Sequence, residues 1–268
     1  MDLRKIIKSG SFDLHLHTTA SDGEYPPEEV VNRAFQMGLK TIAITDHDTL
    51  NGVLPAIKQG EKLGIHIIPG IELSTTYEGI TVDILGYGVK SSEQLNQLLK
   101  ALRNERETRA IKIIEKFQEI GMHITIEDVM KFSKGEVLSR PHIARAIVAH
   151  GYVDEYQKVF DLYLADGKPC AVNKMIVSPG DGLKFIHDAG GKAILAHPVV
   201  LNEALISELL KLPFDGIEVW HRRHGIEEIK TFKRIAQENN LIMTGGSDFH
   251  NDSHQIGSFG YSAEHLLD

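Results

Sequence analysis

Residues 12–17 read Phe12-Asp13-Leu14-His15-Leu16-His17, a short apolar strand that ends in two histidines separated by one residue. The same pattern recurs along the chain: other apolar segments, also predicted as strands, contain or precede a histidine or an acidic residue. In a parallel α/β protein the carboxyl ends of the strands converge on one face, where binding sites are built. The pattern therefore predicts an α/β fold with a polynuclear metal site on that face. The other segments are 41–45 before Asp46 and His47, 67–71 before Glu72, 82–86 with Asp83, 193–196 before His197, and 241–246 before Asp248 and His250.

Strands and helices alternate in two separate parts of the chain, which is typical of a core built from βα units. The first part is residues 1–90 and the second is residues 178–268. Between them, residues 91–177 contain only amphipathic helical patterns, the longest of which ends at Gly121. We therefore predict a metal-binding core, discontinuous in sequence, with a helical insertion domain at 91–177.

Size, charge and cysteine content limit the function. A chain of 268 residues can form one large α/β domain with an insertion. Its net charge of −8, without a basic stripe, argues against long nucleic acid, although a metal cluster can itself attract a short oligonucleotide or a small phosphoester. Cys170 is the only cysteine, so an intrachain disulfide is excluded. Since residues 1–10 lack an apolar signal segment and no membrane-length apolar run occurs, we expect a cytoplasmic protein with no membrane partner.

The types of residue at the strand ends indicate which metals would bind. Imidazole and carboxylate ligands without thiolate suit manganese, zinc or iron. Alternate residues of a strand point to the same face, so His15 and His17 can bind one ion together, and Asp248 and His250 repeat that spacing. Glu72 has two carboxylate oxygens and can bridge two ions. Two ions about 3.5–4 Å apart form the clamp used in phosphoester hydrolysis.

Not every polar residue near these positions is a candidate ligand. Asp13, Asp46 and Asp48 are interpreted as partners that fix imidazole tautomers, or as caps. A single histidine near a strand end is more often a hydrogen-bonded core or loop residue, and only the recurrence at several strand ends favours metal binding. The remaining histidines are interpreted as surface or hydrogen-bonded positions: His66, His123, His150, His187, His254 and His265.

Several motifs together resemble the PHP (polymerase and histidinol phosphatase) superfamily. They lie at residues 12–18 with 21–23, and at 44–48, 70–72, 196–198 and 246–250. The helical insertion, with Ser139-Arg140-Pro141-His142, resembles the branch that includes nucleoside 3′,5′-bisphosphate phosphatases and a related 5′-to-3′ exoribonuclease. The resemblance implies a distorted seven-stranded β/α barrel that holds two to three divalent metal ions.

The resemblance also implies a set of metal ligands. At position 83 the family usually has histidine, whereas this chain reads Val82-Asp83-Ile84. Aspartate is a shorter and harder ligand, so Asp83 is expected to reach its ion directly or through a water. One ion would take His15, His17, Glu72 and Asp248, a second would take Glu72, Asp83 and His197, and a third would take Asp22, His47 and His250.

Candidate substrate contacts lie in the insertion and after one core strand. Arg140 and His142 begin a predicted helix, and helix N-termini favour anions. Arg222 and Arg223 follow the strand predicted at 216–220, and planar guanidinium groups suit bidentate phosphate binding. Lys174, just before the core resumes, is a weaker phosphate candidate.

The proton donor for a leaving group is expected in the same loop as these arginines. His221 and His224 both lie there, and their spacing does not distinguish them. We predict His221 as a catalytic residue, together with Glu72 and Asp248.

These inferences predict a metal-dependent phosphatase that acts on a small phosphorylated substrate, and we expect that substrate to be a nucleotide. The resemblance implies the 3′-phosphate of a nucleoside 3′,5′-bisphosphate such as pAp, with AMP and phosphate as products. The alternatives are a 5′-to-3′ exoribonuclease acting on short RNA, a histidinol-phosphate phosphatase, and a non-catalytic metal-dependent binding module.

Overall fold

The computed structural model describes residues 2–133, 138–165, 167–172 and 177–261. Within these residues, the strands and helices of an α/β core are interrupted after the fourth strand by further helices. The core elements are α1 (Leu3–Ser9), β1 (Phe12–Leu16), α2 (Pro27–Gln36), β2 (Thr41–Ile44), α3 (Val53–Leu63), β3 (His66–Tyr77) and β4 (Ile80–Tyr87), and then α8 (Pro179–Asp188), β5 (Lys192–Leu195), α9 (Glu203–Leu209), β6 (Gly216–His221), α10 (Ile226–Glu238) and β7 (Ile242–Gly246). The helices between β4 and α8 are α4 (Glu93–Glu119), α5 (Ile126–Met130), α6 (Arg140–Ala149) and α7 (Tyr156–Val159), which continues as a π-helical turn at Phe160–Leu164.

The seven strands form one sheet in chain order, β1 to β7. The ends of this sheet meet, because Leu16 pairs with Phe249 and the backbone N–H of His17 donates to the Phe249 carbonyl at 3.0 Å. The sheet is therefore a nearly closed barrel, which confirms the predicted seven-stranded β/α barrel.

The expectation of a parallel sheet is wrong at β4. This strand pairs antiparallel with both β3 and β5, whereas β1 to β3 and β5 to β7 pair in parallel. The cause is the short connection Glu78-Gly79, in which both residues have positive φ, 48° and 83°. Two-residue turns of this kind join antiparallel strands and leave no room for a crossover helix.

Small residues let the two ends of the sheet approach each other. A side chain at Gly246 of β7 would place its Cβ 2.3 Å from His15 Cβ and 2.4 Å from His15 N of β1. Across the barrel, the Tyr87 hydroxyl of β4 donates to the Leu14 carbonyl of β1 at 2.8 Å. Glycine at position 246 therefore allows β7 to close against the strand that carries the first two histidines.

The chain divides into two compact units. The first contains the described residues of 1–96 and 176–268, and the second contains those of 97–175. The second unit has its own apolar core, which includes Phe117, Ile143, Ile147 and the free Cys170. Among the described residues, no helix is both long enough and apolar enough to cross a membrane.

Candidate metal centre

Glu72, within β3, lies at the centre of the predicted site, and 1 % of its side chain is exposed. Its Oε2 lies 3.2 Å from His15 Nε2, 3.1 Å from His17 Nε2 and 3.3 Å from His47 Nδ1. Its Oε1 lies 2.9 Å from His197 Nε2. One carboxylate therefore faces imidazoles from three parts of the barrel, with different partners for its two oxygens.

Asp248, which follows β7 after Ser247, completes the group around the first two histidines. Its Oδ1 lies 3.6 Å from His15 Nε2 and 3.4 Å from His17 Nε2. The backbone of Asp248 has a positive φ of 53°, which is unfavourable for a residue other than glycine. The turn after β7 is thus held in a strained conformation at the point where the carboxylate meets β1.

Asp22 and His250 form a second group with His17 and His47. His250 Nδ1 donates to the backbone carbonyl of Asp248 at 3.0 Å, because a carbonyl can only accept. Its other nitrogen, Nε2, lies 3.2 Å from Asp22 Oδ1. The rings of His17 and His250 stack with centroids 4.0 Å apart, which brings this group against the first.

Asp83 and His197 form a third group with Glu72, and Asp83 Oδ2 lies 4.0 Å from His197 Nε2. Our expectation that Asp83 lies near the C-terminal end of its strand is wrong, because it lies in the N-terminal half of β4. Since β4 runs antiparallel to its neighbours, that half is next to the C-terminal end of β5, with Ala196 N–H donating to the Asp83 carbonyl. Asp83 therefore reaches the site through the reversed direction of its strand.

These groups fit divalent cations. In each of them, one nitrogen or oxygen per residue lies within 4.8 Å of the corresponding atoms of the others. Asp83 Oδ1 and His197 Nδ1 are buried without a hydrogen-bond partner among the described residues, a state that a polar atom avoids unless something else binds there. The groups are His15, His17, Glu72 and Asp248; His17, Asp22, His47 and His250; and Glu72, Asp83 and His197.

The electrostatics of the centre also suit cations. Burial by itself raises the pKa of Glu72 and of Asp248, but the neighbouring histidines hold both pKa values well below their ordinary range. Burial lowers the pKa of His17, yet its close contacts with Asp248 and Glu72 outweigh this and raise the pKa to about 10. These carboxylates therefore remain ionised and attract positive charge, which protons or metal ions can supply at the same nitrogens.

Residues 13–165 match the PHP domain family. The chain belongs to the PHP domain family. A 5′-3′ exoribonuclease from Haemophilus influenzae is 34 % identical over 246 residues, covering 89 % of each chain. A 3′,5′-nucleoside bisphosphate phosphatase from Chromobacterium violaceum is 34 % identical over 248 residues, covering 90 % of this chain and 87 % of that protein. A solved structure from Bifidobacterium adolescentis, described as a metal-dependent phosphoesterase, matches this chain with a TM-score of 0.84 and 28 % identity. The match covers 96 % of this chain and 94 % of the other.

The protein is thus a metal-dependent phosphoesterase of the PHP family. This result confirms the family resemblance, the barrel and the prediction of an enzyme, and it argues against a non-catalytic binding module. The substrate is a separate question, because the exoribonuclease and the phosphatase are equally identical to this chain.

Glu218 of β6 is a residue of the PHP barrel that the sequence analysis missed. It is fully buried, and its carboxylate contacts both His15 and His197. The available signal was an acidic residue inside an otherwise apolar strand, Ile217-Glu218-Val219-Trp220, since glutamate is almost never fully buried unless it is paired.

The three aspartates beside the proposed ligands accept hydrogen bonds from backbone N–H groups and, in Asp46, also from hydroxyls. Asp13 accepts from the backbone N–H groups of Ser247 and Gly257, and burial raises its pKa to about 6. Asp46 accepts from the Thr18 N–H and from the hydroxyls of Thr18 and Ser21. Asp48 accepts from the backbone N–H of Ser74. Of the two interpretations offered for them, these contacts match caps that hold the loops of the PHP site.

The structure distinguishes the two candidate proton donors. His221 is the last residue of β6 rather than a loop residue, and its Nδ1 accepts from the Arg223 N–H at 3.2 Å. In its neutral form the proton is therefore on Nε2, which lies 3.4 Å from Asp248 Oδ2. His224 instead donates from Nδ1 to the Val219 carbonyl, and burial lowers its pKa to about 4. Of these two histidines, His221 is the one that contacts a proposed metal ligand, Asp248.

Arg222 also contacts the centre. Its Nη2 donates to Asp248 Oδ2 at 3.0 Å, and its Nη1 lies 3.4 Å from His254 Nδ1. His254 donates from Nε2 to the Asp248 carbonyl, which agrees with its interpretation as a hydrogen-bonded position. Arg223 is exposed.

The predicted contacts in the insertion belong to the second unit. Arg140 begins α6 as predicted, and its Nη1 donates to the Leu164 carbonyl at 3.3 Å. His142 is buried, and its Nδ1 accepts from the Ser139 N–H at the start of the same helix. Their contact with substrate stays a prediction, and Lys174 lies outside the described residues.

Proposed function

We propose that this PHP enzyme hydrolyses the 3′-phosphate of a nucleoside 3′,5′-bisphosphate such as pAp, releasing AMP and phosphate. The main support for this proposal is that each carboxylate oxygen of Glu72 lies close to a histidine nitrogen. The surrounding side chains form groups that could hold three ions. Such a centre suits the clustered negative charge of a phosphoryl group. Support for the nucleotide comes from the Chromobacterium violaceum relative, which is named for this reaction.

In this proposal, three ion positions share the buried side chains of the centre. Manganese, zinc or iron ions there would polarise the phosphoryl oxygens and lower the pKa of water to yield a nucleophile at neutral pH. Glu72 keeps neighbouring positions together and, with Asp248, supplies the negative charge that holds them. The positions are His15, His17, Glu72 and Asp248; Glu72, Asp83 and His197; and Asp22, His47 and His250, with His17 also close to the last group.

His221 would protonate the leaving oxygen of the substrate. Its neutral imidazole carries the proton on Nε2, because Nδ1 accepts the Arg223 N–H. This proton is directed at Asp248, at the edge of the centre, where the side chain of Asp248 is 13 % exposed. A substrate oxygen entering beside Asp248 would thus find a donor whose orientation is already set.

Arg222 would bind the phosphate on the open side of the centre. Its side chain is 32 % exposed, and guanidinium has five N–H donors, of which Asp248 and His254 engage two. The remaining donors are available for phosphate oxygens. Arg223, and in the second unit Arg140 and His142, stay candidates for the other phosphate.

The alternative is 5′-to-3′ exoribonuclease activity on short RNA. It is favoured by the Haemophilus influenzae relative, which matches this chain at the same 34 % identity. Both reactions use the same metal centre and differ in whether a second nucleotide is accepted beyond the hydrolysed bond.

The test measures released inorganic phosphate and released mononucleotides, by chromatography, on protein of measured metal content, because cleavage of a phosphodiester releases a nucleotide and no phosphate. Equal concentrations of pAp, 5′-AMP, 3′-AMP and a short 5′-phosphorylated oligoribonucleotide are compared by kcat/KM. The proposal expects pAp to exceed both monophosphates and the oligonucleotide by at least tenfold. A higher kcat/KM for the oligonucleotide, with stepwise release of mononucleotides, selects the exoribonuclease instead. His15→Ala protein provides the background of contaminating phosphatases.

A further inference from the structure

Glu218 connects two of the proposed ion positions without belonging to the ligand set that the family resemblance implies. Its Oε1 lies 3.0 Å from His15 Nδ1, and its Oε2 accepts the backbone N–H of His197 at 2.8 Å. The side chain is fully buried, so water does not compete for either contact. A single carboxylate therefore supports two histidines from different parts of the barrel, His15 within β1 and His197 just after β5.

The contact with His15 determines which of its nitrogens can bind a metal. Glu218 Oε1 lies at hydrogen-bond distance from His15 Nδ1, while Oε2 already accepts the His197 N–H. A carboxylate only accepts hydrogen bonds, so His15 Nδ1 must carry a proton. The lone pair of the neutral ring is then on Nε2, the nitrogen that lies 3.2 Å from Glu72 Oε2. Glu218 thus directs the metal-binding nitrogen of His15 toward the centre.

The contact with His197 holds a strained backbone. His197 has φ 24° and ψ 61°, with a positive φ that is costly for a side chain other than glycine. Its backbone N–H is bound by Glu218, and the strained turn places Nε2 2.9 Å from Glu72 Oε1. Without the acceptor, the N–H would be buried and unsatisfied in a conformation that is already unfavourable.

We propose that Glu218 is a positioning residue that keeps His15 and His197 in their metal-binding arrangement, and so couples two ion positions. The inference rests on the metal centre of the proposed function but not on its substrate. Glu218 itself does not bind an ion in this scheme. The competing arrangement, in which Glu218 is a direct ligand with His15 and His221, is sterically available because these three residues also lie within 4.8 Å of one another.

The substitution Glu218→Gln separates the two contacts. An amide has one acceptor oxygen, and the backbone N–H of His197 can only donate, so the oxygen is expected to remain there. The NH₂ group then faces His15 Nδ1, which must become an acceptor, and the ring proton moves to Nε2. His15 would thus carry a proton on its metal-facing nitrogen, whereas the His197 turn would be retained.

Asp215 provides a matched control at the other end of the same strand. It precedes β6, accepts from the His187 ring at 2.8 Å and from the backbone N–H of Ala193 at 2.9 Å. Asp215→Asn therefore makes the same chemical change against a histidine ring and a backbone N–H, and in addition removes an ion pair with Lys192, away from the metal centre. Any effect of general destabilisation should appear in both variants.

The experiment titrates Zn²⁺ into metal-free wild type, Glu218→Gln and Asp215→Asn, and counts bound ions by mass spectrometry. We expect Glu218→Gln to bind the ion held by His15, His17, Glu72 and Asp248 about 10–100-fold more weakly than the wild type does. This is the range found when a partner of a metal-bound histidine is removed. Asp215→Asn should bind as the wild type does. An unchanged Zn²⁺ affinity in Glu218→Gln overturns the positioning role. The loss of one bound ion, with unchanged affinity for the other ions, also overturns it, because that result identifies Glu218 as a direct ligand.

A second measurement uses only the wild type and so does not depend on folding of a variant. Long-range ¹H–¹⁵N spectra of the Zn²⁺-loaded protein report the state of both nitrogens of each histidine. We expect His15 Nδ1 to be protonated and Nε2 to be metal-bound. A metal-bound or unprotonated Nδ1 overturns the inference, whereas a wild type that binds no Zn²⁺ overturns the metal centre itself.

Discussion

At the scale of single residues, the backbone around the metal centre is strained where it carries functional side chains. His197, Asp248 and Asp48 all have positive φ, at 24°, 53° and 51°. Asp48 is held by its bond to the Ser74 N–H, and His197 by its bond to Glu218. Such strain persists only where the surrounding fold enforces it, and it commonly marks sites at which side chains must converge.

His221 should show the behaviour of a proton donor rather than that of a ligand. We expect His221→Gln to lower kcat on pAp by about 100-fold or more, within the usual range for general acid catalysis. The loss should be much smaller on p-nitrophenyl phosphate, because this leaving group needs little protonation. Steady-state kinetics on both substrates provide the measurement.

The control for this prediction is His224→Gln. Because His224 faces the Val219 carbonyl and the Phe232 ring, its loss should affect stability and not the dependence on leaving group. An equal loss on both substrates in His221→Gln, with fewer bound ions, would mean that His221 acts in metal binding instead.

Position 83 carries aspartate where the family usually has histidine, and substitutions there can test whether Asp83 binds an ion. Its Oδ1 is buried without a hydrogen-bond partner, and its Oδ2 is 4.0 Å from His197 Nε2. We expect Asp83→Ala to bind one ion fewer per chain, and Asp83→His to retain that ion. Metal content is measured after dialysis against a fixed free Zn²⁺ concentration, and an unchanged count in Asp83→Ala would exclude Asp83 from the ligand set.

At the scale of elements, local sequence patterns determined most helices and strands. In α3 and α10 the pattern is plain, because Gly64 directly follows the first, Gly225 directly precedes the second, and apolar residues recur with helical spacing in both. The β3–β4 hairpin was not predicted as antiparallel, since Glu72 was interpreted as a residue after a strand end whereas β3 continues to Tyr77. Glu218 was missed because its importance depends on partners more than 20 residues away in sequence.

Asp215 joins three elements at the end of the barrel where β6 begins. It binds Lys192 of β5, His187 of α8 and the Ala193 N–H. Burial raises the pKa of Asp215, but these partners outweigh burial and lower the pKa below its ordinary value. We expect Asp215→Asn to reduce the free energy of unfolding by about 1 kcal/mol at pH 7. Chemical denaturation provides the measurement.

The pH dependence of this contribution follows from the lowered pKa. A carboxyl whose folded-state pKa is below its unfolded value stabilises the protein above the unfolded pKa, about 3.9, and the contribution is lost as the pH falls through the folded pKa. The difference between wild type and Asp215→Asn should thus shrink below about pH 4. A difference that persists unchanged to pH 2 would contradict this origin.

At the scale of the whole molecule, closure of the barrel brings the ligands together. The candidate ligands come from or follow six strands, and β1 meets β7 only because Gly246 has no side chain. We expect Gly246→Ala to lower the free energy of unfolding by about 2–3 kcal/mol, since its Cβ would overlap the backbone of His15. Gly180→Ala in α8 is the control, because its Cβ would meet nothing closer than 3.8 Å. Equal stability of the two variants by denaturant titration would show that the barrel can open here without loss.

Metal binding should in turn stabilise the folded barrel, because the ligand set exists only when distant strands are assembled. An ion at a concentration 100-fold above its Kd adds about 2.7 kcal/mol, which corresponds to a rise in Tm of roughly 5–10 °C for a chain of this size. We expect Mn²⁺ or Zn²⁺ to raise the Tm in a concentration-dependent way, and a chelator to reverse the rise. In Glu72→Gln the rise should be largely lost, because the carboxylate shared by two groups is removed. Scanning calorimetry across a metal titration provides the measurement, and a Tm of the wild type that is the same in metal and in chelator would contradict a metal centre formed by these residues.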